Sequence, residues 1–205
     1  MASFVGLAIH PGLATTTRLR GVASRGITAS TRDWLILISA GFAAACASIL
    51  IEMRLQIPGS AILKVVLPMA MGLALVPRHG AGCVMGAAAA LTAGGLKWGG
   101  FGGEGLSAGA MTSLIATGPL LDLALHRVSG GWRLYAAFAA AGLASNLLAF
   151  IVRGAAKAFL QGSEVFLMWL PRAAVTHVLC GLAAGLISAG IFFYAHRKSL
   201  AEEST

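Results

Sequence analysis

The chain has 205 residues, of which 58% are hydrophobic and only 11% are charged, and its mean hydropathy is +0.84. An average soluble domain has about 25% charged residues, so the composition excludes a water-soluble globule and predicts an all-α integral membrane protein. The formal net charge of +8 does not indicate nucleic-acid binding, because the basic residues are scattered between apolar runs instead of forming one patch.

Three segments differ in composition along the chain. Residues 1–32 contain four Arg, eight Ser or Thr and no acidic residue, which is typical of a basic flexible arm at a membrane surface or of an organellar transit peptide. Residues 33–198 hold the apolar runs and form the predicted membrane domain. Residues 199–205 are polar and are predicted to be a disordered tail.

Apolar stretches of roughly 20 residues predict a bundle of six transmembrane helices. Short segments with Pro, Gly or charge separate them, and the predicted spans are 34–53, 61–77, 81–96, 106–125, 132–152 and 173–195. The turn at 77–80 predicts an antiparallel hairpin of the second and third spans. No run alternates apolar and polar residues with a period of two, as a membrane barrel requires.

The basic residues of the predicted loops give an orientation, because cytoplasmic loops carry the excess of Lys and Arg. With the N-terminus inside, nine basic residues lie on the inner side and five on the outer side. The inner ones are Arg18, Arg20, Arg25, Arg32, Arg78, Arg127, Arg133, Arg197 and Lys198, and the outer ones are Arg54, Lys97, Arg153, Lys157 and Arg172. We therefore expect a multi-pass protein of the cell inner (plasma) membrane with both termini in the cytoplasm.

Three polar residues lie inside predicted spans, where an ionisable side chain costs roughly 2.5–3.5 kcal/mol. Lys64 and His177 each lie about one turn inside the outer end of their spans, and Asn146 lies about two turns inside. Separate structural roles explain each of them: snorkelling of Lys64, a carbonyl hydrogen bond of His177, and helix–helix contact by Asn146. Their shared depth instead favours one substrate pocket that opens to the outside.

Asp122 is an acidic residue on the inner side of the fourth span, four residues before His126. An i,i+4 contact with His126 would neutralise its charge. We expect a structural or partner-docking role for Asp122 in preference to a proton path.

Small residues form a stripe along the first span. Ala40, Ala44 and Ser48 recur every four residues, and such a stripe lets another helix approach closely. The stripe predicts either a docking face for a partner helix or ordinary packing inside the bundle.

A glycine-rich segment at 94–105 contains seven glycines in twelve residues. No Gly-Lys-Ser or Gly-Lys-Thr follows them, so the segment is not a phosphate-binding loop and we expect no ATPase site in this chain. The backbone freedom of glycine suits a mobile outer loop. Trp98 and Glu104 are candidate lid contacts to substrate, and an interfacial anchor is the alternative for Trp98.

Ser107 lies in a Gly-x-Ser-x-Gly string that would indicate a nucleophile only after a strand. The chain also resembles rhomboid intramembrane proteases, which have six spans, a Gly-x-Ser at the start of the fourth and a His in the sixth. Ser107 and His177 occupy analogous places. The second span lacks the His or Asn that holds the oxyanion in that family, and a dyad without such donors loses the largest catalytic contribution. A rhomboid-like serine protease is therefore the alternative hypothesis.

The stretch 64–158 resembles the substrate-binding S components of energy-coupling factor transporters. The likeness lies in the Leu-Val-Pro-Arg-His-Gly-Ala-Gly hairpin at 75–82, the Gly/Ala-rich third span, and Thr-Gly-Pro-Leu-Leu-Asp-Leu-Ala-Leu at 117–125. Six short spans in about 200 residues agree with that family's architecture, and the stripe of the first span resembles its Ala-x-x-x-Ala docking face.

The resemblance implies a non-enzymatic subunit that captures a vitamin-like small molecule from outside. Its implied partners are a membrane coupling subunit and two ATPase subunits, besides the lipid bilayer, and no nucleic acid. Members that carry cobalt or nickel have a Met-His at the N-terminus, whereas this chain begins Met-Ala-Ser-Phe. We therefore expect neither a metal nor a cofactor. A membrane protein with a role other than transport is a third possibility.

Overall fold

The described residues form a bundle of six α-helices. The computed structural model describes residues 30–50, 59–100, 107–126, 128 and 132–193, and within them it has helices and turns but no strand. The helices are α1 (Thr31–Leu50), α2 (Ala61–Leu75), α3 (Ala81–Trp98), α4 (Ala108–Leu125), α5 (Trp132–Gln161) and α6 (Ser163–Phe193). The all-α helical-bundle prediction is confirmed. The N-terminal arm up to residue 29, the tail at 199–205 and Glu104 lie outside the described residues.

The helices form a closed ring in the order α1, α3, α4, α5, α6, α2, with each one packed against the next and α2 packed against α1. The short helix α2 also contacts α3, α4 and α5 across the ring. Val65, Val66, Met69 and Ala70 of α2 are accordingly buried at 1% exposure or less. The apolar core of the bundle is therefore built around α2.

Glycines allow the closest helix approaches, as interfaces in membrane bundles require. A Cβ built at Gly118 of α4 would collide with the main-chain carbonyl oxygen of Gly82 on α3, and the reverse also holds. Gly142 of α5 and Gly181 of α6 face each other in the same way. Backbone packs directly on backbone at these points, so any larger residue would separate the helices.

One end of the bundle is held by polar contacts between segments that are distant in sequence. The Asp122 carboxylate of α4 accepts hydrogen bonds from the main-chain N–H of Gly82 at 3.0 Å and of Cys83 at 2.8 Å. It therefore caps the first turn of α3, where N–H groups have no partner within the helix. Asp122 thus has a structural contact, which is one of the two roles expected for it. The carboxylate bonds to the main chain of α3 and not to His126, the predicted partner. Beside it, Arg78 forms a 2.9 Å ion pair with Asp33.

The last two helices are longer than predicted. α5 continues to Gln161, whereas its predicted span ends at 152, and α6 begins at Ser163, ten residues before 173. The predicted spans leave the segment 153–172 as an outer connection that carries Arg153, Lys157 and Arg172. It is instead a helical hairpin whose turn lies at Gly162, with φ of +90°, a conformation that suits glycine. Pro171 lies within α6 and does not end it.

Four of the six helices are long and apolar enough to cross a membrane, by their length and composition. Large apolar side chains also point away from the core along these helices. Phe42, Ile115, Ile151 and Ile191 are all more than half exposed, as lipid-facing residues of a membrane bundle are. The chain thus has the fold of a helical membrane protein.

Candidate functional site

A polar centre lies inside the bundle, where α5, α6 and the start of α2 meet. Asn146 of α5 and His177 of α6 are each only 2% exposed. The Asn146 Nδ2 donates to the main-chain oxygen of His177 at 2.7 Å and to that of Gly59 at 3.3 Å. Three segments that are far apart in sequence are thereby joined at one buried amide. Two of the three polar residues predicted to share a pocket are therefore in contact.

Gly59 fits this centre because it has no side chain. Its φ is +87°, and a Cβ would lie 3.0 Å from both Asn146 Nδ2 and His177 Cγ. Steric room and backbone conformation therefore both require glycine here. Gly59 also carries the carbonyl that Asn146 binds, so it closes the centre on the α2 side.

Aromatic rings cover the imidazole of His177 on its other sides. The centroid of the His177 ring lies 5.2 Å from that of Phe150 and 6.3 Å from that of Trp169. Phe150 and Trp169 stack on each other with centroids 5.5 Å apart, and the ammonium of Lys157 lies 5.7 Å from the Trp169 ring centroid. A column of rings with a cation at its far end thus leads from the hairpin of α5 and α6 to His177.

The centre lies halfway along the two longest helices. Asn146 and His177 are each about fifteen residues from the turn at Gly162, or roughly 23 Å along the helix axis at 1.5 Å per residue. His177 was predicted about one turn inside the outer end of its span. Because α6 begins at Ser163 and not at 173, His177 lies about ten residues further from the start of its helix than predicted.

Lys64 is not part of this centre. Its ammonium donates to the main-chain oxygen of Ser48 on α1 at 3.5 Å, whereas Ile62 and Val66 of α2 pack with Ala184 of α6. Positions 62 and 64 lie about 200° apart around a helix. Lys64 therefore lies on the side of α2 that faces α1, whereas Ile62 and Val66 lie on the side that faces α6.

The stripe of small residues in α1 packs against other helices of the same chain. Ala40, Ala44 and Ser48 are 3%, 0% and 5% exposed, and a Cβ at Gly72 of α2 would come within 2.8 Å of that of Ala40. The hydroxyl of Ser48 donates to the Ala44 carbonyl at 2.8 Å. In this structure the stripe packs within the bundle and is not accessible as a docking face.

Trp98 is the last residue of α3, and Ser107 directly precedes α4. Trp98 is 97% exposed and is separated from the buried centre. The Ser107 hydroxyl accepts from the Ala110 N–H at 3.4 Å and so serves as the N-cap of α4. The His177 imidazole bonds instead to the Ala173 carbonyl at 2.7 Å, so among the described residues the structure shows no Ser–His dyad.

A shallow cleft of about 110 Å³ lies beside Ser107, between the start of α4 and the last turns of α5. Its lining includes Arg153 and Lys157 together with Gly109 and Leu160. The cleft adjoins the ring column, since Lys157 also contacts Trp169. Two of the basic residues counted for the outer side are thus gathered in one place.

Sequence reasoning missed Gly59, Phe150 and Trp169 as parts of the centre. Phe150 follows Asn146 by one helical turn, so its place on the same face was available from the 3.6-residue period. Trp169 was assigned to a connection, and Gly59 to a loop, so neither had a predicted face. The buried hydroxyl pair Thr117 and Ser145, with oxygens 2.6 Å apart between α4 and α5, was missed as well.

Comparisons with family models, curated proteins and solved structures found no match to this chain. The class of protein therefore follows from the fold itself, which is that of a helical-bundle membrane protein. In the part of the chain that the structure describes, no three His, Cys, Asp or Glu side chains form a group that could hold a metal ion.

Proposed function

We propose that the chain is a membrane-embedded capture subunit for a vitamin-like small molecule, as the resemblance to energy-coupling factor S components implies. The observation that carries this proposal is the contact of Asn146 with His177 and Gly59. Polar groups inside a membrane bundle are costly and are typical of substrate pathways. Three segments here contribute to one such group of residues, which suits ligand binding better than simple helix contact.

The short helix α2 supports the same proposal. It has 15 residues and begins beside Gly59, at the level of the midpoints of α5 and α6. Membrane transporters typically form their substrate sites where a helix end lies near the middle of the bilayer. The end of a short helix places main-chain polar groups at a depth where continuous helices would offer none.

We further propose that the chain lies in the plasma membrane with both termini in the cytoplasm, and that a coupling subunit and ATPase subunits supply the energy. Since the stripe of α1 is buried, a partner would use an outward-facing surface of the bundle. The chain itself would then catalyse no reaction. Its substrate would reach the centre from the outer side, past Trp169 and Phe150.

Extraction of bound molecules tests the capture function. The tagged chain is purified from its native membranes in a mild detergent, and small molecules and proteins released from it are identified by mass spectrometry. We expect one small molecule to be retained by the wild type and depleted at least about tenfold in Asn146→Leu, because a lost hydrogen bond of about 1.5 kcal/mol corresponds to that ratio.

Thr117→Val is the matched control, since it also removes a buried polar group but away from the centre, and it should retain the molecule. Recovery of ATPase subunits would support the importer. Identical sets of small molecules in the wild type and Asn146→Leu would contradict the capture proposal. Cleavage of a membrane substrate by the purified chain alone would favour the protease alternative.

A further inference from the structure

The cleft beside Ser107 is built between two helices. One wall is the start of α4, residues 107–109, and the other is one face of α5, formed by Arg153, Ala156, Lys157 and Leu160. Gly109 lets the helices approach, because a Cβ there would lie 2.9 Å from the Ala149 carbonyl oxygen and 3.2 Å from the Arg153 Cβ. The side chain of Arg153 therefore begins directly beside the first turn of α4.

The wall on α5 is cationic. Arg153 and Lys157 are four residues apart, so their side chains lie on the same face of the helix. Both are half-buried and both line the cleft. Like charges at this spacing repel each other, and a cleft lined by one sign of charge concentrates the electrostatic potential. The cleft therefore attracts an anion.

The wall on α4 presents hydrogen-bond donors. Ser107 accepts from the Ala110 N–H through its hydroxyl at 3.4 Å and from the Met111 N–H through its main-chain oxygen at 3.1 Å. The N–H groups of Ala108 and Gly109 come before these, where a helix offers no acceptor of its own, and both residues line the cleft. The α4 wall thus adds donors to the two cations of the α5 wall.

We infer that the cleft binds a phosphate group, carried by a soluble phosphate ester or by the headgroup of an anionic phospholipid. The several oxygens of a phosphate can accept from Arg153, Lys157 and the α4 main chain together, and arginine matches phosphate with two parallel hydrogen bonds. Leu160 also lines the cleft and is 78% exposed, so it offers apolar surface to the body that carries the phosphate. The inference does not depend on the proposed capture function, because neither Asn146 nor His177 lines the cleft.

Three probes test the inference by isothermal titration of the purified full chain in a nonionic detergent at constant ionic strength. Glycerol 3-phosphate is a soluble phosphate ester, short-chain phosphatidylglycerol carries a lipid headgroup, and acetate is an anion without phosphate. A phosphate probe should bind the wild type at least about tenfold more tightly than acetate, the ratio that one further charge-assisted hydrogen bond supplies. Tighter binding of phosphatidylglycerol than of glycerol 3-phosphate would identify a lipid as the source, and otherwise the source is a soluble ester.

Arg153→Gln and Lys157→Gln each remove one charge and keep a polar side chain. Since the two like charges repel each other, neutralising either of them should not destabilise the fold. Each variant should weaken binding of the phosphate probe at least about tenfold, and either one gives an independent reading if the other is not recovered. Arg133→Gln is the matched control, because it removes an exposed charge at the other end of α5, and it should bind within about twofold of the wild type.

Glu104 is the acidic residue nearest to Ser107 in sequence and lies outside the described residues, so Glu104→Gln is also titrated. Phosphate binding by this variant but not by the wild type would mean that a carboxylate of the chain itself neutralises the cleft, which would overturn the inference. Phosphate binding no tighter than acetate binding would also overturn it, and so would binding that Arg153→Gln and Lys157→Gln leave unchanged. None of these results affects the capture function, which is tested by the molecule extracted from native membranes.

Discussion

The carboxylate of Asp122 on α4 caps the main chain of Gly82 at the start of α3, and it does so across a helix interface where both backbones are in contact. A side chain of one helix thus completes the hydrogen bonding of another. The cap and the glycine contact are adjacent, so the position of α3 against α4 is set by polar and steric contacts together.

Asp122→Ala should lower the free energy of unfolding by about 1–2 kcal/mol, because it leaves two N–H groups of α3 without a partner. Asp122→Asn keeps one acceptor oxygen and should lose less. Thermal unfolding of the purified variants in one detergent measures the difference. Arg133→Gln, an exposed change at the same end of the bundle, should be within 0.5 kcal/mol of the wild type, as is typical of surface sites. Equal stability of Asp122→Ala and Arg133→Gln would show that the cap contributes nothing.

Gly118→Ala should destabilise the bundle by about 1–3 kcal/mol, because the new Cβ meets the Gly82 backbone and the helices must separate. Gly94→Ala is the matched change in α3. A Cβ there meets nothing within 4 Å, so alanine should stabilise the helix by about 0.5–1 kcal/mol. Opposite signs for the two substitutions in the same unfolding assay would support the direct backbone contact. A neutral Gly118→Ala would contradict it.

Thr117 and Ser145 join α4 to α5 through hydroxyl oxygens 2.6 Å apart. A double-mutant cycle with Thr117→Val and Ser145→Ala should give a coupling energy of about 0.6 kcal/mol, with an upper bound of about 1.7 kcal/mol, as found for such bonds inside membrane bundles. The four proteins of the cycle are compared by unfolding in detergent. Strict additivity of the two changes would mean that the hydroxyls do not stabilise each other.

Orientation is testable with two tryptophans at opposite ends of the bundle. Trp98 at the end of α3 is 97% exposed and Trp132 at the start of α5 is 76% exposed. In a background where Cys46, Cys83 and Cys180 are replaced by Ala, Trp98→Cys should react with a membrane-impermeant maleimide on intact cells, and Trp132→Cys should react only after permeabilisation. The reverse pattern would place both termini outside and would invert the path to the centre.

The apolar runs predict the six helices and their order, because each run is long enough to be recognised by its composition alone. The ends of α5 and α6 could not be predicted in the same way. Arg153 and Arg172 mark the edge of an apolar run, yet an α-helix does not end where its residues become charged. Its end depends on backbone hydrogen bonding, and here the break comes at Gly162, where the left-handed conformation stops the helix.

For the site, the sequence predicts how deep a residue lies along its helix but not which neighbouring helix it contacts. Depth along a helix follows from residue number, so a common level for Lys64, Asn146 and His177 could be proposed. The neighbour that a residue contacts depends on which helices pack together on its side of the helix. No local sequence pattern predicts the ring order of α1, α3, α4, α5, α6 and α2. Lys64 therefore meets Ser48 of α1, whereas Asn146 and His177 meet each other.

The contact between Gly59 and Asn146 spans 87 positions of the chain, and the same amide also binds the His177 carbonyl of α6, which is synthesised after both of them. Domains are made from the N-terminus at about 5–20 residues per second, so α2 emerges several seconds before the helix that closes the ring beside it. During that interval α2 has no α6 to pack against, and the amide of Asn146 lacks the His177 carbonyl. The polar centre is thus completed only after α6 has been synthesised, and a chain truncated before α6 would never acquire it.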